Sequence, residues 1–369
     1  MAARRGSRKA APAVRTLKDL LPKVAAGETL TEREAEAAFS FLMTGDATPA
    51  QMGAFLMALR VRGETVDEIA GAARVLRERA ERVVAPKGAV DTCGTGGDAS
   101  GTFNISTAAA LVVAACGVPV AKHGNRAISS RSGSADLLTA AGVNLEAPLE
   151  VVMEGMHRLN FGFLMAPRHH LATRNVAPVR TELGTRTIFN LLGPLSSPAL
   201  AKRQVLGVFD KRWVEPVAQV LHRLGSTRAW VVHGSDGLDE ITTTGITHVA
   251  ELKNRRVRAF TVRPEQAGLK RAKLSDLAGG TPRQNARRLG RLLRGETGPI
   301  RDIVLLNAAA ALIVADRATS LAEGVKLAAT AIDDGSGQRL LRELVRLTQA
   351  PARQDNTGAD DGDERQETP

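Results

Sequence analysis

The sequence predicts a small helical unit followed by a larger α/β domain with a mainly parallel sheet, and three observations carry that reading. Capping boxes punctuate residues 17–84, short apolar strands alternate with helices after Ala85-Pro86, and polar loops rich in glycine close those strands. At 369 residues the chain has room for one large domain or two ordinary ones, with a core that needs no staples. The expected division is a basic disordered leader over 1–15, a helical domain over 16–85, an α/β domain over 86–348 and an acidic disordered tail over 349–369.

Taken in order, Thr31 and Glu34 frame a capping box ahead of EAEAAFSFLM, Thr48-Pro49 opens the helix carrying MGAFLMALR, and Thr65 with Glu68 caps a third. Phe55, Leu56 and Leu59 recur at the spacing of one helix face. Beyond Pro86 the rhythm changes. GAVDTC leads into STAAALVVAACG, VPVAKHG into SADLLTAAG, FGFLMAP into another helical stretch, and RAWVVHG into a loop. In such a fold ligands gather where loops leave the carboxyl ends of strands. The loops to inspect are therefore GTGGD, KHGNRAISSRSGSAD, APRHH and HGSDGLDE.

Two cysteines, Cys93 and Cys116, are too few and too far apart for a disulfide framework or a zinc cluster, so a reducing compartment is expected. The longest apolar run, AAALVVAACGVPVA, is broken by Gly117 and Pro119 and falls short of the roughly 18 residues a membrane span needs. No membrane association is expected. The basic N-terminus lacks the apolar stretch of a secretory signal, which favours a cytoplasmic protein, although its Arg and Ser without acids also permit an organelle transit peptide. The net charge of +11 attracts phosphate, but it is dispersed over a chain with no Tyr and only two Trp to stack on bases. Anionic small molecules are the expected partners rather than nucleic acid.

GTGGDA matches G-x-G-x-x-A, yet the dinucleotide reading also wants an acid about twenty positions on. Lys122, His123 and Arg126 stand there instead, the next acid being Asp136. A Walker A loop is excluded because no Lys-Ser or Lys-Thr follows the glycines. Two readings of the loop remain. Gly94, Gly96 and Gly97 clear the way for backbone N–H groups to meet a phosphate, with Thr102, Asn104, Ser106 and Thr107 as further donors where a helix opens, or the stretch is an ordinary capped turn.

The second loop favours phosphate. Lys122, Arg126 and Arg131 bring positive charge to a strand end among Ser129, Ser130, Ser132 and Ser134, and two such loops imply a ligand with more than one phosphate. That ligand calls for Mg²⁺, and Asp239-Glu240, just past the strand AWVVHG, offers it hard oxygen ligands.

GTGGD, TFNISTAA, KHGNRAISSRSGSAD, NVAPVRTELGTRTIFNLLGPL, GLDEITTTG and DIVLLNAAAAL, in this order, make the chain resemble the anthranilate phosphoribosyltransferase family from its first helices to about residue 345. The resemblance implies a nucleoside phosphorylase/phosphoribosyltransferase type of fold, with the helical domain hinged to the α/β domain and completed by about residues 177–200. It also implies a homodimer joined through the helical domains. The implied reaction gives N-(5-phosphoribosyl)anthranilate and diphosphate from anthranilate and 5-phosphoribosyl 1-diphosphate, a step of tryptophan biosynthesis. Catalysis would be electrostatic and need no nucleophile, with Lys122 and Arg180 in support.

By the same resemblance, Gly94, Gly97, Asp98, Thr102, Asn104, Ile105, Ser106 and Thr107 would hold the phosphoribosyl diphosphate. Lys122, His123, Gly124, Asn125, Arg126, Ala127, Ile128, Ser129, Ser130 and Ser134 would complete that shell. Ser106, Asp239 and Glu240 would coordinate Mg²⁺, and Gly94, Asn125 and Arg180 would meet anthranilate. Cys93 replaces a usual aliphatic residue, and Leu171 a usual proline, which leaves His169 and His170 to be read as surface histidines of a loop. A pyrimidine nucleoside phosphorylase shares the architecture but does not explain KHGNR together with GLDE. A nucleic-acid-binding relative would suit the positive charge but has no use for Asp239 and Glu240.

Overall fold

A computed structural model describes residues 14–127 and 131–350. Residues 1–13 and 351–369 lie outside the described residues, as do the site candidates Ile128, Ser129 and Ser130. The helical unit opens with α1 (Leu21–Ala25), α2 (Glu32–Thr44), α3 (Pro49–Arg62) and α4 (Val66–Arg79). Then follow β1 (Val90–Gly94), α5 (Ile105–Ala115), β2 (Val120–Gly124), α6 (Ser134–Ala140), α7 (Leu149–Arg158), β3 (Phe161–Met165), α8 (Ala166–His169), α9 (Ala177–Leu183) and α10 (Phe189–Leu195). The last part comprises β4 (Arg203–Gly207), α11 (Val214–Arg223), β5 (Arg228–Gly234), β6 (Thr247–Lys253), β7 (Arg256–Val262), α12 (Pro282–Leu292), α13 (Pro299–Val314), α14 (Leu321–Asp333) and α15 (Ser336–Gln349).

The three threonine caps form as the sequence predicts. Thr31, Thr48 and Thr65 accept from the backbone N–H of Glu34, Gln51 and Glu68, and each N3 side chain reaches back to its cap, which satisfies donors that the first helical turn leaves open. Phe39 meets Phe55 edge-on at 6.0 Å and Phe189 at 5.7 Å, so α10 packs into the same apolar cluster as α2 and α3. Asn175 Nδ2 donates to the Met43 carbonyl at 2.7 Å, fixing the segment ahead of α9 on the end of α2.

The seven strands run in the order β3-β2-β1-β4-β5-β6-β7. The first five are parallel, and β6 and β7 form an antiparallel hairpin at the edge. Asn254 and Arg255, both at positive φ (52° and 62°), make its two-residue turn, a geometry whose twist suits a hairpin. Alternate residues face opposite sides. Val90, Val120 and Val205 pack with α5 and α13 on one face, whereas Leu206, Ala229 and Val231 share the other with α11 and the helical unit.

After β3 the chain crosses to the far side of β1 and enters β4, so β1 and β4 flank the topological switch point. Both strands end there in glycine, Gly94 paired with Gly207.

Candidate active site

A side chain at either glycine would strike the acid pair. A Cβ on Gly207 would fall on the Asp239 carbonyl oxygen, and one on Gly94 would fall on the Asp239 carboxylate. Asp239 therefore rests directly on the ends of the two central strands. From there its Oδ2 accepts from Gly96 N at 2.7 Å, and Glu240 Oε1 accepts from Ser106 N at 3.0 Å in the first turn of α5. Gly96 and Gly97 hold positive φ (65° and 74°), which an L side chain would resist, so the loop curls over the acids at no steric cost.

The loop carrying the acids is rigid for identifiable reasons. Asp236 Oδ2 accepts from the hydroxyls of Thr242 and Thr244 at 2.6 and 2.7 Å. Behind it, buried Asn307 on α13 accepts from Ile241 N at 3.0 Å and donates to the Ile241 carbonyl at 2.8 Å. Asn307 thus fixes the residue that follows Glu240.

Lys122, 2% exposed on β2, donates to the Thr92 carbonyl and lies 3.4 Å from Ser106 Oγ. Burial lowers its pKa, while the charges of Asp91, Glu240 and Asp239 oppose that shift. Asp91 is fully buried on β1, accepting from His123 N at 3.1 Å and from Gln204 Nε2 at 3.3 Å. Its burial pushes the carboxyl up to about 6. Loss of water raises Asp239 to about 7, helped by the facing Asp98, and raises Glu240 to about 8, helped by Asp239.

Carboxyls crowded in this way favour a cation. Asp239, Glu240 and the Ser106 hydroxyl are hard oxygen donors of the kind Mg²⁺ takes. Among the described residues no group of three or more His, Cys, Asp and Glu side chains makes a complete metal site. Most of the coordination would fall to water and phosphate oxygens, as is usual for Mg²⁺.

The sequence-predicted shell separates into parts that touch and parts that stand off. Ile105, Ser106 and Thr107 form the opening of α5, with Thr107 buried. Asn104 serves as a brace: its Nδ2 donates to the Ser132 carbonyl at 2.9 Å and its Oδ1 accepts from Asn285 Nδ2 at 2.9 Å. That ties both loops to α12. Thr102 makes a bridge to Ala278, and Asp98 accepts from Ser100 Oγ at 2.7 Å. Gly124 has no room for a Cβ against Ser134 Oγ and Phe163, and Ser134 Oγ in turn donates to the Asn125 carbonyl at 3.1 Å. Arg126 reaches Asp136 at 3.4 Å, leaving its guanidinium half exposed. Arg180 stands apart on α9, stacked 5.0 Å from the Phe189 ring centroid, and among the described residues no carboxylate pairs with it.

Two residues that sequence reasoning missed shape these loops. Asp136 accepts from Ala127 N at 2.8 Å and Gly133 N at 2.9 Å, closing the second loop on itself. An acid at the third position of the helix SADLLTA, where it can cap its own first turn, was the available signal. Arg186, from the segment between α9 and α10, donates to the Gly97 carbonyl and stacks 4.4 Å from the Phe209 ring centroid. No spacing in the sequence pairs it with Gly97, which lies 89 positions away.

Residues 86–338 match the "Glycosyl transferase family, a/b domain" and residues 18–80 the "Glycosyl transferase family, helical bundle domain". The anthranilate phosphoribosyltransferase of Azospirillum brasilense is 63% identical over 332 residues, covering 90% of this chain and 93% of that protein. The crystal structure of the Thermus thermophilus anthranilate phosphoribosyltransferase is similar at a TM-score of 0.86 and 49% identity, covering 90% of this chain and all of that one. The Saccharomyces cerevisiae enzyme in complex with PRPP and Mg is similar at a TM-score of 0.82 and 29% identity, over 90% of this chain and 97% of that one.

His169 and His170 are buried, at 4% and 8% exposure, which corrects their reading as surface histidines. His169 Nδ1 lies 2.8 Å from the Glu81 carbonyl, and the His170 ring meets His123 edge-on at 5.3 Å. Burial lowers His123 to about 3 and His170 to about 4, each helped by a neighbouring histidine. In the unfolded chain both take up protons near 6.5, the ordinary histidine value, so below that pH the unfolded state binds more protons than the folded one. Stability is expected to fall as the pH drops from about 6.5 towards about 4. Urea unfolding across that range checks it: the double variant His123→Asn/His170→Asn should show a shallower pH slope than the wild type, and equal slopes would refute the assignment.

Proposed function

The chain belongs to the anthranilate phosphoribosyltransferases of the glycosyl transferase family, and from that premise we propose how its own residues perform the reaction. The enzyme transfers the phosphoribosyl group of 5-phosphoribosyl 1-diphosphate to the amine of anthranilate, releasing diphosphate, in tryptophan biosynthesis. This accounts for KHGNR and GLDE in one site, which neither the pyrimidine nucleoside phosphorylase nor the nucleic-acid reading does. The observation that carries the proposal is the acid pair on Gly94 and Gly207, bonded to the glycine loop and to the opening of α5.

The backbone N–H groups around Gly94, Gly96 and Gly97, the opening of α5 with Ser106 and Thr107, and the loop from Lys122 to Ser134 hold the phosphoribosyl diphosphate. Ser106, Asp239 and Glu240 hold Mg²⁺, which supplies charge neutralisation to the departing diphosphate. Lys122 sets a buried ammonium beside the same acids, and Arg186 keeps the glycine loop in place. During transfer the anomeric C–O bond breaks, an oxocarbenium-like ribose forms, and the anthranilate nitrogen bonds to that carbon. The nitrogen then loses its proton, so a strong base is not required. Electrostatic complementarity and positioning do the rest.

Anthranilate enters near Gly94 and Asn125 with its carboxylate towards Arg180, whose desolvated guanidinium has no acid of its own among the described residues. A segment that returns to the helical unit presents that arginine, so substrate capture and the hinge between the two bodies are connected. A homodimer joined through the helical unit and a cytoplasmic setting belong to the same proposal. Among the described residues no helix is long and apolar enough to cross a membrane.

Anthranilate fluorescence, followed with Mg²⁺ and 5-phosphoribosyl 1-diphosphate, tests the site. The isosteric pair Asp239→Asn/Glu240→Gln should lower kcat by about 100-fold or more, the scale on which removed electrostatic stabilisation is felt, with an unchanged circular dichroism spectrum. Turnover within twofold of wild type would remove the acids from the mechanism. For Arg180→Ala, the anthranilate KM should rise about 10- to 100-fold, the loss of one charged hydrogen-bonded pair, with little change in the KM for the diphosphate substrate. An unchanged anthranilate KM would exclude the assigned contact.

A further inference from the structure

We propose a second anion site, one that takes a phosphate group in the cleft between α4 and the turns that lead into β4 and β5. The cleft, a cavity of about 220 Å³, is lined by Arg74, Arg77, Glu78, Arg82, Lys202 and Ser226, with apolar walls from Leu200, Ala201 and Leu224. Lys202 and Ser226 precede the amino ends of their strands, whereas Gly94 and Gly207 close the carboxyl ends. The cleft therefore lies at the opposite end of the parallel strands from the active site and is independent of the phosphoribosyl transfer.

Arg77 forms its floor and is 8% exposed. Its Nε donates to the Leu195 carbonyl at 2.6 Å and its Nη1 to the Leu224 carbonyl at 3.2 Å, at the carboxyl ends of α10 and α11. Those helix ends offset part of its charge. Among the described residues its Nη2 has no partner, and neither has the hydroxyl of Ser226, which is also 8% exposed. A buried charge without a counter-ion and a buried hydroxyl without an acceptor both call for an oxygen-rich anion.

The surroundings decide which anion. Arg74 is engaged by Glu32 and Glu36. Among the described residues no carboxylate pairs with Arg77, Arg82 or Lys202, and the one acid in the lining is Glu78. Three free cations against one acid leave an excess that suits a dianion, and arginine forks with a hydroxyl suit the several acceptor oxygens of phosphate. Arg77 already links α4 to the ends of α10 and α11, so a phosphate bound here would join the helical unit to the sheet at their common boundary.

Calorimetric titration of inorganic phosphate into the full chain tests this, with the exposed pair replaced in Arg82→Ala/Lys202→Ala. The wild type should bind one more equivalent of phosphate than the double variant. Both should show the same circular dichroism and the same turnover in phosphate-free buffer. Ser226→Ala should weaken that equivalent about tenfold, the worth of one hydrogen bond to a charged group. Glycerol 3-phosphate taking up the same equivalent would identify a phosphate monoester as the ligand, and its failure to do so would identify the free ion. Identical isotherms for the wild type and the double variant would overturn the proposal.

Discussion

Asp239 lies against two strand ends that carry no side chain, and the rest of the site is arranged around that contact. Only glycine at positions 94 and 207 lets the acid loop settle onto the sheet. Once there, Asp239 fixes the curl of the glycine loop through Gly96, and Glu240 takes a donor at the opening of α5. Carboxylates at a helix N-terminus gain from its dipole, but these are also crowded and poorly hydrated. Lys122, buried beside them, offsets part of that excess of negative charge.

The topology explains why these parts converge. β1 and β4 are neighbours in space but lie more than a hundred residues apart in the chain, and the crossover between them includes the segment that packs on the helical unit. One connection therefore carries Arg180 along the helical unit and brings Arg186 to the glycine loop. Arg186 ties that connection to Gly97, and with it the helical unit to the glycine loop.

Much of this was legible in the sequence, for local reasons. Threonine caps, the alternation of strand and helix after Pro86, and glycine and serine loops after apolar strands each have a short-range physical cause, and each is present in the structure. The hairpin of β6 and β7 escaped because its turn carries Asn-Arg rather than Asn-Gly, within the basic stretch LKNRRVRAF. The histidines of APRHH were misplaced because burial is a tertiary property: β2 brings His123 against His170, and sequence spacing cannot show it. Arg186 and Arg77 were missed for the same reason, since both act on carbonyl groups far away in the chain.

The contact of Asp239 with the strand ends is steric, and glycine substitutions probe it. Gly207 is free of positive φ, so an alanine there meets no left-handed backbone strain and its nearest conflicts are all with the Asp239 backbone, whereas one at Gly193 meets nothing within 4 Å. If Asp239 rests on Gly207 in this way, Gly207→Ala, folded as judged by circular dichroism, should lose about 100-fold or more in kcat/KM for 5-phosphoribosyl 1-diphosphate while Gly193→Ala should not. Equal activity in the two variants would contradict it.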